Sequence, residues 1–98
     1  MSMTTAAERT HLDRVARLGC LICGARAEVH HIRTGQGLRR ASHFETIPLC
    51  PTHHRTGGHG IAFHAGREIW ERTFGTELEL LAQVRAELSR EEPHASIS

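Results

Sequence analysis

The spacing of three cysteines and one histidine constrains this chain more than any other feature. Cys20-x2-Cys23 and Cys50-x2-His53 each set two metal-ligating side chains within one turn, so four ligands in two close pairs can converge on one tetrahedral ion. Three cysteines cannot close a disulfide framework without leaving one over, whereas three cysteines and a histidine complete a zinc site. The chain has need of such a staple. Its 98 residues leave room for one small domain, and three Phe, one Trp and no Tyr make a thin core. The alternative is that the cysteines are small buried hydrophobes and His53 a surface helix residue; the paired spacing favours a structural Zn2+. We expect a single domain over 1–98, with its core at about 11–85 and a frayed tail at 92–98.

The net charge of +1 conceals a gradient. Residues 26–67 carry six arginines against Glu28 and Glu45, together with seven of the nine histidines, whereas residues 68–98 are net acidic. All 12 cationic side chains are Arg, whose planar fork grips phosphate in two places. The central segment is where a polyanion would land. No apolar run approaches the roughly 20 residues that span a membrane, and the N-terminal residues lack a signal-peptide pattern, so the protein is read as intracellular and cytoplasmic, with no membrane partner.

Thr5-Ala-Ala-Glu8 has the spacing of a capping box and opens a helix at about 6–18. The Cys20–Gly24 knuckle follows. Residues 27–32 have the length and β-branched content of a strand, Arg33 to His43 form a Gly-containing arginine-rich loop, and residues 46–49 form a second strand, which makes a hairpin the economical arrangement. Pro48 argues for a strand edge or end. Pro51 sits where a helix N1 would, so a short helix is expected to run to Gly57-Gly58. After a loop at 59–66, Ile69, Trp70 and Phe74 give one amphipathic helix ending at Gly75, better read as core than as a stacking platform. Thr76-Glu-Leu-Glu79 is a second capping box, and Leu78, Leu81, Val84 and Leu88 form the apolar stripe of a last helix to about 90. The fold class is therefore small α+β, a hairpin and helix carrying a Cys3His knuckle between flanking helices.

Three histidines stand beside the staple but outside it. Neighbours on a helix diverge by about 100°, so His53 can face one ion while His54 faces another site. His30 and His31 would point to opposite faces of a regular strand, so sharing a site requires a strand end or a bulge. The alternative is a pair of ordinary strand histidines. His59 and His64 are further candidates, either as additional ligands or as surface residues.

This arrangement resembles the HNH endonuclease family, whose hairpin and helix clasp one catalytic metal in a ββα-metal fold, and within it the phage recombination-enhancement, RecA-dependent nuclease group. The resemblance runs through Cys20-Leu-Ile-Cys23-Gly24, His30-His-Ile-Arg33-Thr-Gly-Gln-Gly37, Ala41-Ser-His-Phe44, Ile47-Pro-Leu-Cys50, His53-His-Arg55 and His64-Ala-Gly66. It implies that His31 is the general base that deprotonates water, with His30 and His54 as ligands of a catalytic divalent ion (Mg2+, Mn2+ or Zn2+). The family's middle Asn has no counterpart here; either His43 or Glu45 takes that orienting or ligating role. DNA is the implied substrate and a RecA filament the implied partner, in a bacterial cell and with a phage-encoded origin.

Phosphodiester hydrolysis needs a nucleophile made from water at neutral pH, neutralisation of phosphate charge and stabilisation of the departing sugar oxygen. An imidazole suits the first task. Arg33, Arg39, Arg40 and Arg55 flank the histidines and could clamp phosphates on either side of the scissile bond. Nothing in the chain reads bases, so binding directed at the backbone is expected. Two rivals remain open: a non-catalytic zinc module that binds nucleic acid or a protein partner, and a catalytic domain silent until a RecA filament delivers it.

Overall fold

The computed structural model describes residues 4–91. Helix α1 spans Ala6–Arg17, opened by the reciprocal bonds of the capping box, Glu8 N–H to Thr5 Oγ1 at 3.0 Å and Thr5 N–H to Glu8 Oε1 at 2.8 Å. It runs out through Leu18 into Gly19, whose φ of 83° turns the chain into the knuckle. Strands β1 (Glu28–His31) and β2 (Thr46–Leu49) pair antiparallel, with Glu28 opposite Leu49 and His31 opposite Thr46. Pro48 has no N–H to give, but its carbonyl accepts from Leu21 N–H at 3.1 Å and so docks the knuckle onto β2.

The short α-helix expected after Cys50 is instead a single π-helical turn, Thr52–Thr56. Gly57 N–H donates to Thr52 O at 2.9 Å across the wide i to i+5 ring. Gly57 makes this closure possible through space rather than torsion: a Cβ there would lie 2.5 Å from Thr52 O and 2.6 Å from Ile61 Cγ2. A 3-10 turn, Phe63–Ala65, leads into α2 (Arg67–Phe74), and α3 (Glu77–Glu91) completes the described chain. The expected frayed tail, 92–98, lies outside the described residues.

The buried side chains form one cluster running from Val15 on α1 through Ile32, Ile47, Leu49 and Phe63 to Trp70, Leu81 and Leu88. Trp70 is fully buried, with its indole N–H donated to Ile61 O at 3.1 Å. On α3 the inward stripe differs from the expected one. Leu78 is exposed, Leu80 is buried in its place, and the stripe continues one turn back through Glu77, whose side chain is fully buried. The result is a small mixed domain of helices around one two-stranded sheet.

Candidate metal centres and the histidine-lined cleft

The knuckle is shaped by backbone bonds: Cys20 N–H to Ala25 O at 2.8 Å, Gly24 N–H to Cys20 O at 2.8 Å, and Ile22 N–H to Cys20 Sγ at 3.4 Å. The π-helical turn delivers His53 to the same point. Cys50 Sγ lies 3.3 Å and Cys20 Sγ 3.8 Å from His53 Nδ1, and Cys23 Sγ is 3.7 Å from Cys50 Sγ. The four ligand atoms lie within 4.8 Å of one another. Zinc–sulfur and zinc–nitrogen bonds of about 2.3 and 2.0 Å at tetrahedral angles call for ligand separations of this size. This Cys3His cluster could hold a metal ion. Burial works against ionisation of Cys20, but backbone N–H groups around its sulfur outweigh it and lower the thiol below its ordinary value, in the direction that favours a thiolate ligand.

A second cluster adjoins the first, since His54 follows His53 directly in the chain. His30, at 2 % exposure, turns inward from β1; His54 follows the last knuckle ligand; His64 comes from the 3-10 turn. His54 Nε2 is 3.2 Å from His30 Nδ1 and 3.0 Å from His64 Nε2. On their far sides, His30 Nε2 meets Glu77 Oε2 at 2.6 Å and His54 Nδ1 meets Glu28 Oε2 at 2.6 Å. A carboxylate accepts only, so each ring keeps its proton on the far nitrogen and turns a lone pair toward the other ring. Two lone pairs 3.2 Å apart repel unless a cation lies between them. The donor set thus fits a divalent ion, and carboxylates gripping the far nitrogens are the arrangement that orients metal-bound imidazoles.

The carboxylates stay ionised for identifiable reasons. Arg55 donates Nε–H and Nη2–H to Glu28 at 2.7 and 3.0 Å, and that fork, with His54 behind it, holds Glu28 down at about 2 against its partial burial. Burial alone would raise Glu77, but His30, Thr34 Oγ1 and the N–H groups of Arg33 and Thr34 hold it at about 2. Burial also lowers the proton affinity of His54, against the pull of Glu28, and that of His64, with His54 adding to it. Neutral rings are the state a metal takes up.

His31 points to the other side of β1, as strand alternation requires, yet the strand ends there and both rings reach one cleft, lined by His30, His31, His54 and His64 with Val29, Arg33, Leu38 and Arg40. No bulge is present in the register. His31 Nε2 lies 2.9 Å from His43 Nδ1, and Arg40 Nη2 lies 3.5 Å from His31 Nδ1. Glu45 is not brought to His31; its carboxylate accepts from Ser42 N–H at 3.3 Å and closes its own turn. His59 stays apart from the three-histidine cluster, its Nδ1 3.4 Å from Ala65 O.

The four loop arginines have unequal surroundings. Arg33 donates to Gly37 O at 3.0 Å and Arg39 O at 3.2 Å, shaping the loop it starts, and Arg55 is engaged by Glu28. Arg40 faces the cleft, and Arg39 is exposed beside it. Sequence reasoning missed Glu28 and Glu77 as partners of the histidines. A signal existed for Glu77: the stripe Leu81, Val84, Leu88, carried back four residues, lands on a carboxylate.

No helix among the described residues is long and apolar enough to cross a membrane. The model of a family described as a protein of unknown function (DUF968) matches residues 3–89, a stretch that takes in the Cys3His cluster and the three-histidine cluster. No curated protein and no solved structure matches the chain. With nearly the whole chain matched, the protein belongs to the DUF968 family.

Proposed function

We propose that the chain is a metal-dependent DNA endonuclease of the HNH type, hydrolysing phosphodiester bonds. The observation that carries this reading is the shared cleft, where His31 opens beside His30, His54 and His64 with Arg40 at the rim. His31 is the general base. With its Nε2–H donated to His43 Nδ1, its Nδ1 lone pair faces the cleft next to Arg40. A phosphate paired with that guanidinium would bring the attacking water to the same nitrogen. His43 thus takes the orienting role of the family's Asn, and Glu45, engaged in its own turn, does not. Arg40 and Arg39 make the phosphate contacts, while Arg33 and Arg55 shape the protein around them.

His30, His54 and His64 would hold the divalent ion, Mg2+, Mn2+ or Zn2+, which when bound supplies charge neutralisation at the phosphate and the leaving sugar oxygen. The Cys3His cluster would hold a structural Zn2+. The resemblance to the phage group adds the bacterial cytoplasm as the setting and a RecA filament as partner. The test is nicking of supercoiled plasmid in Mg2+ or Mn2+, without and with a RecA filament. Since a positioned base contributes about 10²–10⁴-fold, His31→Ala is expected to cut at least ~100-fold more slowly with its zinc content and circular dichroism unchanged. Cutting by His31→Ala at the parental rate overturns the assignment. A parent that shifts DNA but never cuts it, with or without the filament, is the zinc-binding module instead.

A further inference from the structure

Glu77 lies outside the hairpin and the knuckle, at the first turn of α3, yet its carboxylate is fully buried and makes more polar contacts than any ligand of the second cluster. Its two oxygens face different partners. Oε1 accepts from Arg33 N–H at 2.8 Å, Thr34 N–H at 2.9 Å and Thr34 Oγ1–H at 2.8 Å; Oε2 accepts from His30 Nε2–H at 2.6 Å and shares the Arg33 N–H at 2.9 Å. Arg67 Nη2 stands 3.5 Å from Oε1 and donates to Thr34 Oγ1. One carboxylate therefore clamps both the ring of His30 and the root of the arginine loop.

We propose that Glu77 is the positioning residue of the three-histidine centre: by accepting from His30 Nε2–H while locked onto Arg33 and Thr34, it fixes His30 in the tautomer whose Nδ1 lone pair faces His54 and His64. The proposal rests on the reading that those three histidines hold a divalent ion. The lock gives it direction. On the Oε1 side all the partners donate, so an amide at this position keeps its oxygen there and turns its NH2 to His30 Nε2. Nε2 must then accept, and the ring's proton moves to Nδ1, into the space the ion would occupy. Glu77→Gln is nearly isosteric and keeps the three loop-root bonds to Oε1, giving up only the share of the Arg33 N–H that Oε2 takes, so it inverts the tautomer while leaving α3 in place. Thr34→Val removes the hydroxyl bond to Oε1, and with it the acceptor of Arg67 Nη2, but leaves His30 Nε2 its acceptor.

The experiment uses the full chain with the Cys3His site filled by Zn2+, and Mn2+ is titrated calorimetrically into the parent, Glu77→Gln and Thr34→Val. Losing an outer partner of a metal-bound histidine typically costs 10–100-fold in affinity, so Glu77→Gln is expected to bind Mn2+ 10–100-fold more weakly and Thr34→Val within about threefold of the parent. Before Mn2+ is added, nitrogen-15 shifts of the His30 ring at pH 8.5 are expected to show the proton on Nε2 in the parent and on Nδ1 in Glu77→Gln. A parental ring carrying its proton on Nδ1 overturns the proposal, as does Glu77→Gln binding Mn2+ like the parent or Thr34→Val losing as much as Glu77→Gln. If the parent takes up no Mn2+ while its His30 carries the proton on Nε2, the ion-binding reading fails and the tautomer assignment stands.

Discussion

His30 is buried with its Nε2–H donated to Glu77 and its Nδ1 turned to His54, whereas His31, the next residue, is only half-buried at the cleft mouth; alternation along a strand separates two identical side chains into two environments. The consequence for His31 is electrostatic. Burial lowers its proton affinity first, and Arg40, His43 and His30 push it further down, to about 4. A divalent ion on His30 acts in the same direction. On the proposed nuclease reading, His31 of the substrate-free protein is then neutral and able to accept a proton at every pH well above 4, and this competence is lost as pH falls through that value. A phosphate paired with Arg40 cancels part of the push and raises the proton affinity in the complex, which makes His31 a stronger base once substrate is bound. At saturating Mg2+, kcat/KM is expected to run flat from pH 8 to about pH 5.5, while the acid limb of kcat lies at higher pH, since the two constants report free enzyme and complex respectively. Arg40→Gln should move the kcat/KM limb upward and weaken DNA binding. A parental kcat/KM profile with its inflection at the ordinary imidazole value, about 6.5, would contradict the assignment.

Among the elements, the π-helical turn does what a regular helical turn was expected to do, with one residue more in its ring. It places His53 against Cys20 and Cys50 and His54 against His30, and the ring closes on Gly57 because no Cβ fits there. Gly57→Ala forces a Cβ against the Thr52 carbonyl and the Ile61 side chain, so about 1–3 kcal/mol is expected to be lost from the zinc-loaded protein in chemical denaturation, with weaker second-ion binding because His54 must move. Unchanged stability and Mn2+ affinity would show that the turn tolerates a regular helix. This element also marks how far the sequence could be read. The capping boxes at Thr5 and Thr76, the hairpin and the knuckle rest on partners within a few residues or on strand composition, and such interactions are written locally. The width of the turn was not legible, because Pro51 opens an α or a π turn equally well and only the packing of Ile61 and Thr52 against Gly57 decides between them. In the sequence Glu77 is only a member of a capping-box segment; its partner His30 lies 47 residues away, and that pairing exists only once α3 lies against the hairpin. The exposure of Leu78 and burial of Leu80 follow from the same placement.

At the scale of the whole molecule the first and last helices are tied to each other as well as to the core. Arg14 of α1 donates to Leu88 O near the end of α3 at 2.9 Å, and Val15 and Leu88 belong to one apolar cluster. That cluster contains a single Trp and one buried Phe, with the rest aliphatic apart from Cys20 and Cys50, so it does not hold the fold with much to spare. The knuckle joins the end of α1, the end of β2 and the π-helical turn at one point, and all three would separate if its sulfurs repelled one another as free thiolates. Zinc binding in small zinc-folded peptides contributes about 10–16 kcal/mol at pH 7, comparable with or above the roughly 5–15 kcal/mol total stability of a small domain. Exhaustive chelation is therefore expected to unfold the chain, with loss of far-UV circular dichroism and of the cooperative melt, and Cys50→Ser to do the same without chelator. His64→Ala separates the two centres, since His64 is exposed and belongs only to the second: it should abolish Mn2+ uptake and leave the melt within a few degrees of the parent. A chelated protein that melts like the zinc-loaded one would mean that the apolar cluster suffices and that the cysteines are packing residues after all.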